Sequence, residues 1–92
     1  MIRSFRNKDT EAVYQRRRVK RFQSVEQVAR RRLVQINGAE ELRDLASPPA
    51  NRLEALHGDR AGQYSVRIND QYRVCFRRKD GGAFDVEITD YR

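Results

Sequence analysis

His57 is the only histidine in the chain, and the rest of the chemical inventory is equally short. There is no Ser/His/Asp set, no glycine loop suited to cradling phosphates, and no Cys/His cluster at metal-ligand spacing. What remains is His57, several arginines, and acids and tyrosines near the ends of apolar runs. Such a set suits a reaction that needs no cofactor, the cutting of RNA by its own 2′-hydroxyl. A protein assisting it must remove the hydroxyl proton, neutralise charge on the phosphoryl oxygens and protonate the leaving 5′-oxygen. One acid or base and one or two arginines suffice, and Arg67 and Arg73 are candidates for the electrostatic part. Each candidate also has a plainer reading. A lone loop His57 is more often a surface residue than a catalyst. Arg73 suits a cross-strand ion pair with Glu87 or Asp85. Asp59-Arg60, flanked by glycines, suits a turn-stabilising pair, and Cys75 a packed thiol. Asp90-Tyr91-Arg92 close the sequence, where chains commonly fray, although an aromatic directly after a strand can stack on a base.

These residues must be positioned by the stretch from Tyr64 to Tyr91. Three runs alternate apolar and polar residues, Tyr64–Ile68, Tyr72–Arg77 and Phe84–Ile88, separated by Asn69-Asp70-Gln71 and Asp80-Gly81-Gly82. Period-two alternation with turn residues between predicts a three-stranded antiparallel meander. Its dry face is Tyr64, Val66, Ile68, Tyr72, Val74, Phe76, Phe84, Val86 and Ile88; its charged face carries Arg67, Arg73, Arg77, Asp85 and Glu87. The dry face needs a cover. Val25, Val28, Ala29, Leu33 and Ile36 fall at helical spacing, and Ser24 with Gln27 has the form of a capping box, so residues 24–37 are expected to form the covering helix, ending at Gly38. An earlier helix is expected through Glu11–Tyr14 with Asp9 or Thr10 as N-cap, and 16–21 either extends it or forms the turn after it. Ile2–Phe5 reads as an edge or inserted strand, 39–45 as a helical turn stopped by Ser47-Pro48-Pro49, and 52–56 as a strand joining the meander. The fold class is α+β, one domain over residues 1–92, with two N-terminal helices on one face of a mostly antiparallel sheet.

Ninety-two residues can hold one modest core. No run of apolar residues exceeds three, which gives neither a signal-peptide core nor a membrane span, and a cytoplasmic location is expected. The net charge of +7 is unevenly spread: residues 1–46 hold 12 basic and 6 acidic residues, residues 47–92 hold 8 and 7. Residues 16–32 alone hold eight basic residues and one acid, a patch suited to nucleic acid or an acidic protein, or else a solvated helix face.

Several blocks together resemble HigB-type toxins of the RelE/ParE superfamily, and within them the GraT branch of pseudomonads. They are Met1–Phe5, Glu41–Leu45, Ser47-Pro48-Pro49 with Asn51-Arg52-Leu53, Leu56–Gly62, Ser65–Arg73 and Asp90-Tyr91. The resemblance implies a microbial-ribonuclease-like fold and cleavage of messenger RNA in the A site of the small ribosomal subunit, without metal or other cofactor. It implies as partner a HigA-type helix-turn-helix antitoxin, encoded downstream, with operator DNA contacted only through that antitoxin. Arg73 matches the family's sheet arginine, assigned to transition-state charge. Asp90 matches a residue that acts as base or orients one, and Tyr91 one that positions the base. Well-known members carry His at position 54, where Glu54 stands, and Lys at 57, where His57 stands; many end in His where this chain has Arg92. His57 is therefore expected to take over proton transfer or phosphate contact, with Glu54 as an alternative base, and weak cleavage is compatible with these changes. RNA contacts are expected from Arg67, Arg60 and Arg92, and from Arg16, Arg17, Arg18, Lys20, Arg21, Arg30 and Arg31 in the basic segment. Two non-nucleolytic readings stand beside this one: a ParE-like gyrase poison, and a weakly catalytic inhibitor that binds the ribosome.

Overall fold

Alternation along Tyr72–Lys79 sends Val74 and Phe76 to one side of the chain and Arg73, Cys75 and Arg77 to the other, and this strand lies inside the sheet. The computed structural model describes residues 1–90. The strands are β1 (Glu54–Ala55), β2 (Gln63–Arg67), β3 (Tyr72–Lys79) and β4 (Gly82–Asp90), in the order β1-β2-β3-β4 with every pairing antiparallel. The N-terminal segment adds parallel bridges to the outer edge of β4, Ile2 with Ala83 and Phe5 with Val86. The expected meander, the short joining strand and the N-terminal edge segment are all present.

Val66, Val74, Phe76, Val86 and Ile88 form the dry face and are buried. Helix α2 (Glu26–Gly38) covers them with Ala29, Leu33 and Ile36, one stripe at helical spacing. Helix α1 (Lys8–Tyr14) adds Val13, and the 3₁₀ segment Lys20–Val25 adds Phe22 and Val25. Phe22 meets Tyr72 edge-on, ring centroids 5.6 Å apart. Beyond Arg6 no N-terminal strand remains to pair with β4, so the Ile88 N–H needs another acceptor. The fully buried Thr10 hydroxyl provides it at 3.0 Å and joins α1 to the sheet.

Three local expectations are corrected. Phe84 is not on the dry face: the register runs Cys75 to Glu87 and then Arg77 to Phe84, so β4 carries one extra residue between. Asp85 absorbs this bulge at φ 53°, its N–H bonded to Ser4 Oγ at 2.9 Å, and Ala83 takes the core position instead. Ser24 does not cap α2. The 3₁₀ segment runs straight into the helix, Val25 occupies the N-cap, and no side chain caps it. The N-cap of α1 is Asn7, whose Oδ1 accepts from Thr10 N at 2.9 Å, two residues before Asp9. The basic segment begins as a turn, with Arg16 left-handed at φ 64°.

Arginines join the layers through backbone acceptors. Arg30 Nε donates to Val13 O at the end of α1 (2.9 Å), and Arg32 Nε to Arg67 O at the end of β2 (2.8 Å). Arg78 Nη2 donates to the Ala39 and Glu40 carbonyls just past α2. The buried Asn51 amide bonds Leu45 O at 3.1 Å and Ser47 O at 3.4 Å, which fixes the connection to β1.

Leu33 is fully buried at the helix–sheet contact, whereas Val34 beside it is 60% exposed. Leu33→Ala is expected to lower unfolding free energy by about 2–5 kcal/mol, and Val34→Ala by about 0.5 kcal/mol or less, in urea denaturation monitored by circular dichroism.

Candidate active face

Cross-strand partners share a face, so the register lays out the side of the sheet away from the helices. One row is Arg67, Arg73 and Thr89; the next is Glu54, Ser65, Cys75 and Glu87; the third is Gln63, Arg77 and Phe84. This face is not an open charged surface. Ser65 and Cys75 are fully buried and Gln63 nearly so, because long side chains lie across them.

Arg73 reaches over β2. Its Nε donates to Ser65 Oγ at 2.6 Å, and its Nη2 to the Arg52 carbonyl at 2.6 Å, with Glu54 Oε1 at 3.9 Å. Its side chain is only 12% exposed, while that of Glu54 is 57% exposed. Arg52 is left-handed (φ 44°, ψ 57°), a conformation costing a non-glycine residue about 1–2 kcal/mol. From the turn Gly58–Arg60, Arg60 Nη1 descends onto Gln63 Oε1 (3.0 Å) and Glu87 Oε1 (3.3 Å). Arg6 approaches Glu87 from the N-terminal edge at 3.8 Å. Arg77 pairs with Asp85 at 3.7 Å, and Arg67 with Asp70. The pairings offered from sequence for Arg73, Glu87 or Asp85, are thus replaced by Glu54, whose backbone neighbour across the ladder is Ser65.

Cys75 lies at the bottom of this face. Burial pushes its thiol up from the ordinary value, opposed by the neighbouring Thr89 side chain and by the nearby Arg60 and Arg73, while Glu87 adds to the rise. Arg32 is shifted down, first by burial and then by the like charges of Arg31 and Arg67. A shallow depression of about 320 Å³ is lined by Arg6, Asp59, Arg60 and Gln63. A wider one of about 780 Å³, lined by residues including Leu42, Ala46, Leu53 and Arg78, has no part of the Arg73 cluster in its wall. Among the described residues no group of three or more His, Cys, Asp or Glu could hold a metal ion, and no helix is long and apolar enough to cross a membrane.

Of the residues singled out from sequence, the structure brings Arg73 and Glu54 together, and places Arg60 and Arg67 on the same face. His57 is exposed at the start of the Gly58–Arg60 turn, and its imidazole has no hydrogen bond or ion pair among the described residues. Asp90 pairs across the ladder with Tyr72, so its backbone position belongs to the other side of the sheet from Arg73; Gln71 Nε2 holds its carboxylate at 3.1 Å. Tyr91 and Arg92 lie outside the described residues. Sequence reasoning missed Ser65, the Arg52 carbonyl, and Arg6. Only Ser65 left a trace, as the small polar residue preceding Arg67 by two on the same strand face.

The sequence profile of the HigB-like toxins, described as RelE-like toxins of the type II toxin–antitoxin system HigB, matches residues 3–91. The chain belongs to this family. Toxin HigB-1 of Vibrio cholerae serotype O1 is 36% identical to it over 69 residues, covering 75% of this chain and 73% of that protein. An uncharacterised Haemophilus influenzae protein is 43% identical over 64 residues, covering 70% of this chain and 63% of that one. The toxin–antitoxin complex YoeB–YefM from Staphylococcus aureus contains a chain of the same fold, with TM-score 0.57 and 18% identity, covering all of this chain and 98% of that one. This HigB-like toxin is therefore a type II toxin on an α+β RelE-like scaffold, and an antitoxin partner goes with that membership.

The shift at Cys75 sets a testable pH dependence. A thiol raised in the folded state favours folding below its ordinary pKa, and that contribution is lost as pH climbs past it. Stability of the wild type should therefore fall more steeply than that of Cys75→Ala through the alkaline range. At neutral pH a thiol reagent should label Cys75 only on unfolding, read by absorbance with and without denaturant.

Proposed function

We propose that this HigB-like toxin cuts messenger RNA on the ribosome, by 2′-hydroxyl attack without a metal, and so stops translation. The observation that carries the reading is the Arg73–Glu54 pair: a guanidinium held nearly out of water beside a carboxylate that solvent and substrate can reach. Arg73 neutralises charge growing on the phosphoryl oxygens, where a fixed donor in a poorly hydrated site acts most strongly. Glu54 takes the 2′-hydroxyl proton. His57, exposed on the same side-loop, protonates the leaving oxygen or contacts a phosphate once the message is in place. With Glu54 as the base, Asp90 at the end of β4 keeps an orienting role only, since its backbone position belongs to the other side of the sheet from Arg73; Tyr91 positions the base, and Arg92 contacts RNA.

The basic segment supplies docking on ribosomal RNA. Arg16, Arg17, Lys20 and Arg31 are exposed and carry no ion pair among the described residues. Arg18 and Arg21 point outward with loose pairings, Arg18 to Glu26 at 3.8 Å and Arg21 to Asp9 at 3.3 Å. Arg30 is drawn into the α1–α2 contact and offers less. The partner is a HigA-type helix-turn-helix antitoxin, and the pair represses its own operon through the antitoxin's DNA contacts. A cytoplasmic site of action follows from a ribosomal target.

Mapping of transcript 5′ ends after induction should reveal new cuts inside translated regions. Arg73→Ala should reduce cleavage at least 100-fold, and Glu54→Gln about 10²–10⁴-fold, the usual weight of a general base. Intact transcripts with the protein on ribosomes would move the reading to a binding inhibitor; DNA breaks with whole mRNA would move it to a gyrase poison. Separately, replacing Arg16, Arg17 and Lys20 by Gln should weaken ribosome binding most at low salt. It should also lower the log–log salt slope by about 0.7–0.9 for each lost phosphate contact, measured by co-sedimentation across a salt series.

A further inference from the structure

Two of the three guanidinium nitrogens of Arg73 are occupied by the protein itself. Nε is bonded to Ser65 Oγ and Nη2 to the Arg52 carbonyl, both at 2.6 Å, while Nη1 has no partner among the described residues. Neither acceptor is a casual neighbour. Ser65 is fully buried beneath the long side chains that cross this face, where a hydroxyl gains most from a hydrogen-bond partner. Arg52 presents its carbonyl from a left-handed residue just after the turn Pro49–Asn51. That turn is anchored by the buried Asn51 amide on Leu45 O and Ser47 O, so the strained residue is held by its surroundings and does not relax away.

We propose that Ser65 and the left-handed backbone at Arg52 are positioning elements that fix the Arg73 guanidinium and leave its Nη1 hydrogens as the edge offered to a phosphoryl oxygen. The assignment rests on the cleavage reading above for its chemical purpose, and on geometry alone for the lock. An arginine side chain is ordinarily floppy, and a donor that must be ordered during the reaction stabilises the transition state less than one already in place. Glu54 benefits from the same device. Its Cα is the ladder partner of Ser65, so the residue that holds the guanidinium also sets the backbone from which the carboxylate projects. Ser65 acts through Arg73 and touches no substrate.

The test uses the ¹⁵N-labelled full chain and its variants Ser65→Ala and Ser65→Cys, the latter keeping the shape with a weaker acceptor. In the wild type the Arg73 Nε–H resonance, assigned by its loss in Arg73→Lys, should lie away from the other arginines and exchange slowly with solvent. Ser65→Ala should move it among the exposed arginines while the backbone spectrum is kept. Cleavage of ribosome-bound message should then fall about 10- to 100-fold in kcat with KM unchanged, the usual cost of a small misplacement at a reacting centre. Ser65→Cys should fall between, and it carries both measurements should Ser65→Ala fail to fold. A wild-type Nε–H indistinguishable from the exposed arginines overturns the lock. A displaced Nε–H with full kcat overturns its positioning role. A protected Nε–H in a chain that cuts no message supports the lock and overturns the cleavage reading alone.

Discussion

A guanidinium taken largely out of water needs partners for the donors it buries, and the region around β1 and β2 supplies them for Nε and Nη2 of Arg73. Arg73 comes from an interior strand, and alternation sends it to the face away from the helices, where no second layer of secondary structure waits for it. The hydroxyl of Ser65, the carbonyl of Arg52 and the carboxylate of Glu54 make up a local substitute for such a layer. Each brings a structural cost or constraint: a buried polar side chain, a left-handed non-glycine residue, and an edge strand of two residues. Desolvating an unpaired charge costs several kcal/mol, more than any of these, so the arrangement favours keeping all three.

Arginine has two distinct uses in this chain. Arg30, Arg32 and Arg78 bond backbone carbonyls and hold α1, α2 and the sheet together. Arg6, Arg60, Arg67, Arg73 and Arg77 meet carboxylates on the face opposite the helices. Planar guanidinium groups with several fixed donors suit both tasks, since one group can serve a carbonyl and an ion pair together. The formal charge of +7 consequently overstates what is free to attract a polyanion. Of the exposed basic residues without an ion pair among the described residues, Arg16, Arg17 and Lys20 are grouped just after α1 and Arg31 lies on α2, while Arg3, Lys8, Arg52 and Lys79 stand elsewhere. The grouped charges after α1 lie in a different segment of the chain from the fixed donor on β3.

How much of this could be read from the sequence depended on the range of the interaction. The meander was legible because its period-two pattern is local and its turns carry Asn, Asp and Gly. The covering helix was legible from Ala29, Leu33 and Ile36, which repeat at 3.6 residues. Phe84 was misplaced because the bulge at Asp85 leaves no mark: Phe84, Val86 and Ile88 keep perfect alternation while the backbone gains one residue. Ser24 was misread because burial of Phe22 and Val25 draws the chain into a 3₁₀ lead-in, which outweighs a cap worth about 1 kcal/mol. In the candidate site, the face of Arg73 followed from alternation, but its acceptors come from positions 52 and 65, and no spacing rule connects those to position 73.

The same geometry bears on how little catalytic equipment the proposed reaction would need. Glu54 stands opposite the middle of β2 and His57 just beyond its start, and only Glu54 is tied by ladder register to the residue that holds Arg73. A carboxylate on a two-residue strand, more than half exposed, still has rotamers to lose before it can meet a 2′-hydroxyl in line with a phosphate. The exposed imidazole of His57 has more freedom still. The chain by itself therefore fixes the Arg73 guanidinium and leaves the side chains of Glu54 and His57, the proposed proton carriers, to be ordered by something else. A rigid RNA surface that grips the basic turn and presents the message across β1 and β2 would provide that order and exclude water from the Arg73–Glu54 pair. In the proposed reaction the isolated protein would hold the donor in place but not the base, and that difference would make cleavage depend on the ribosome.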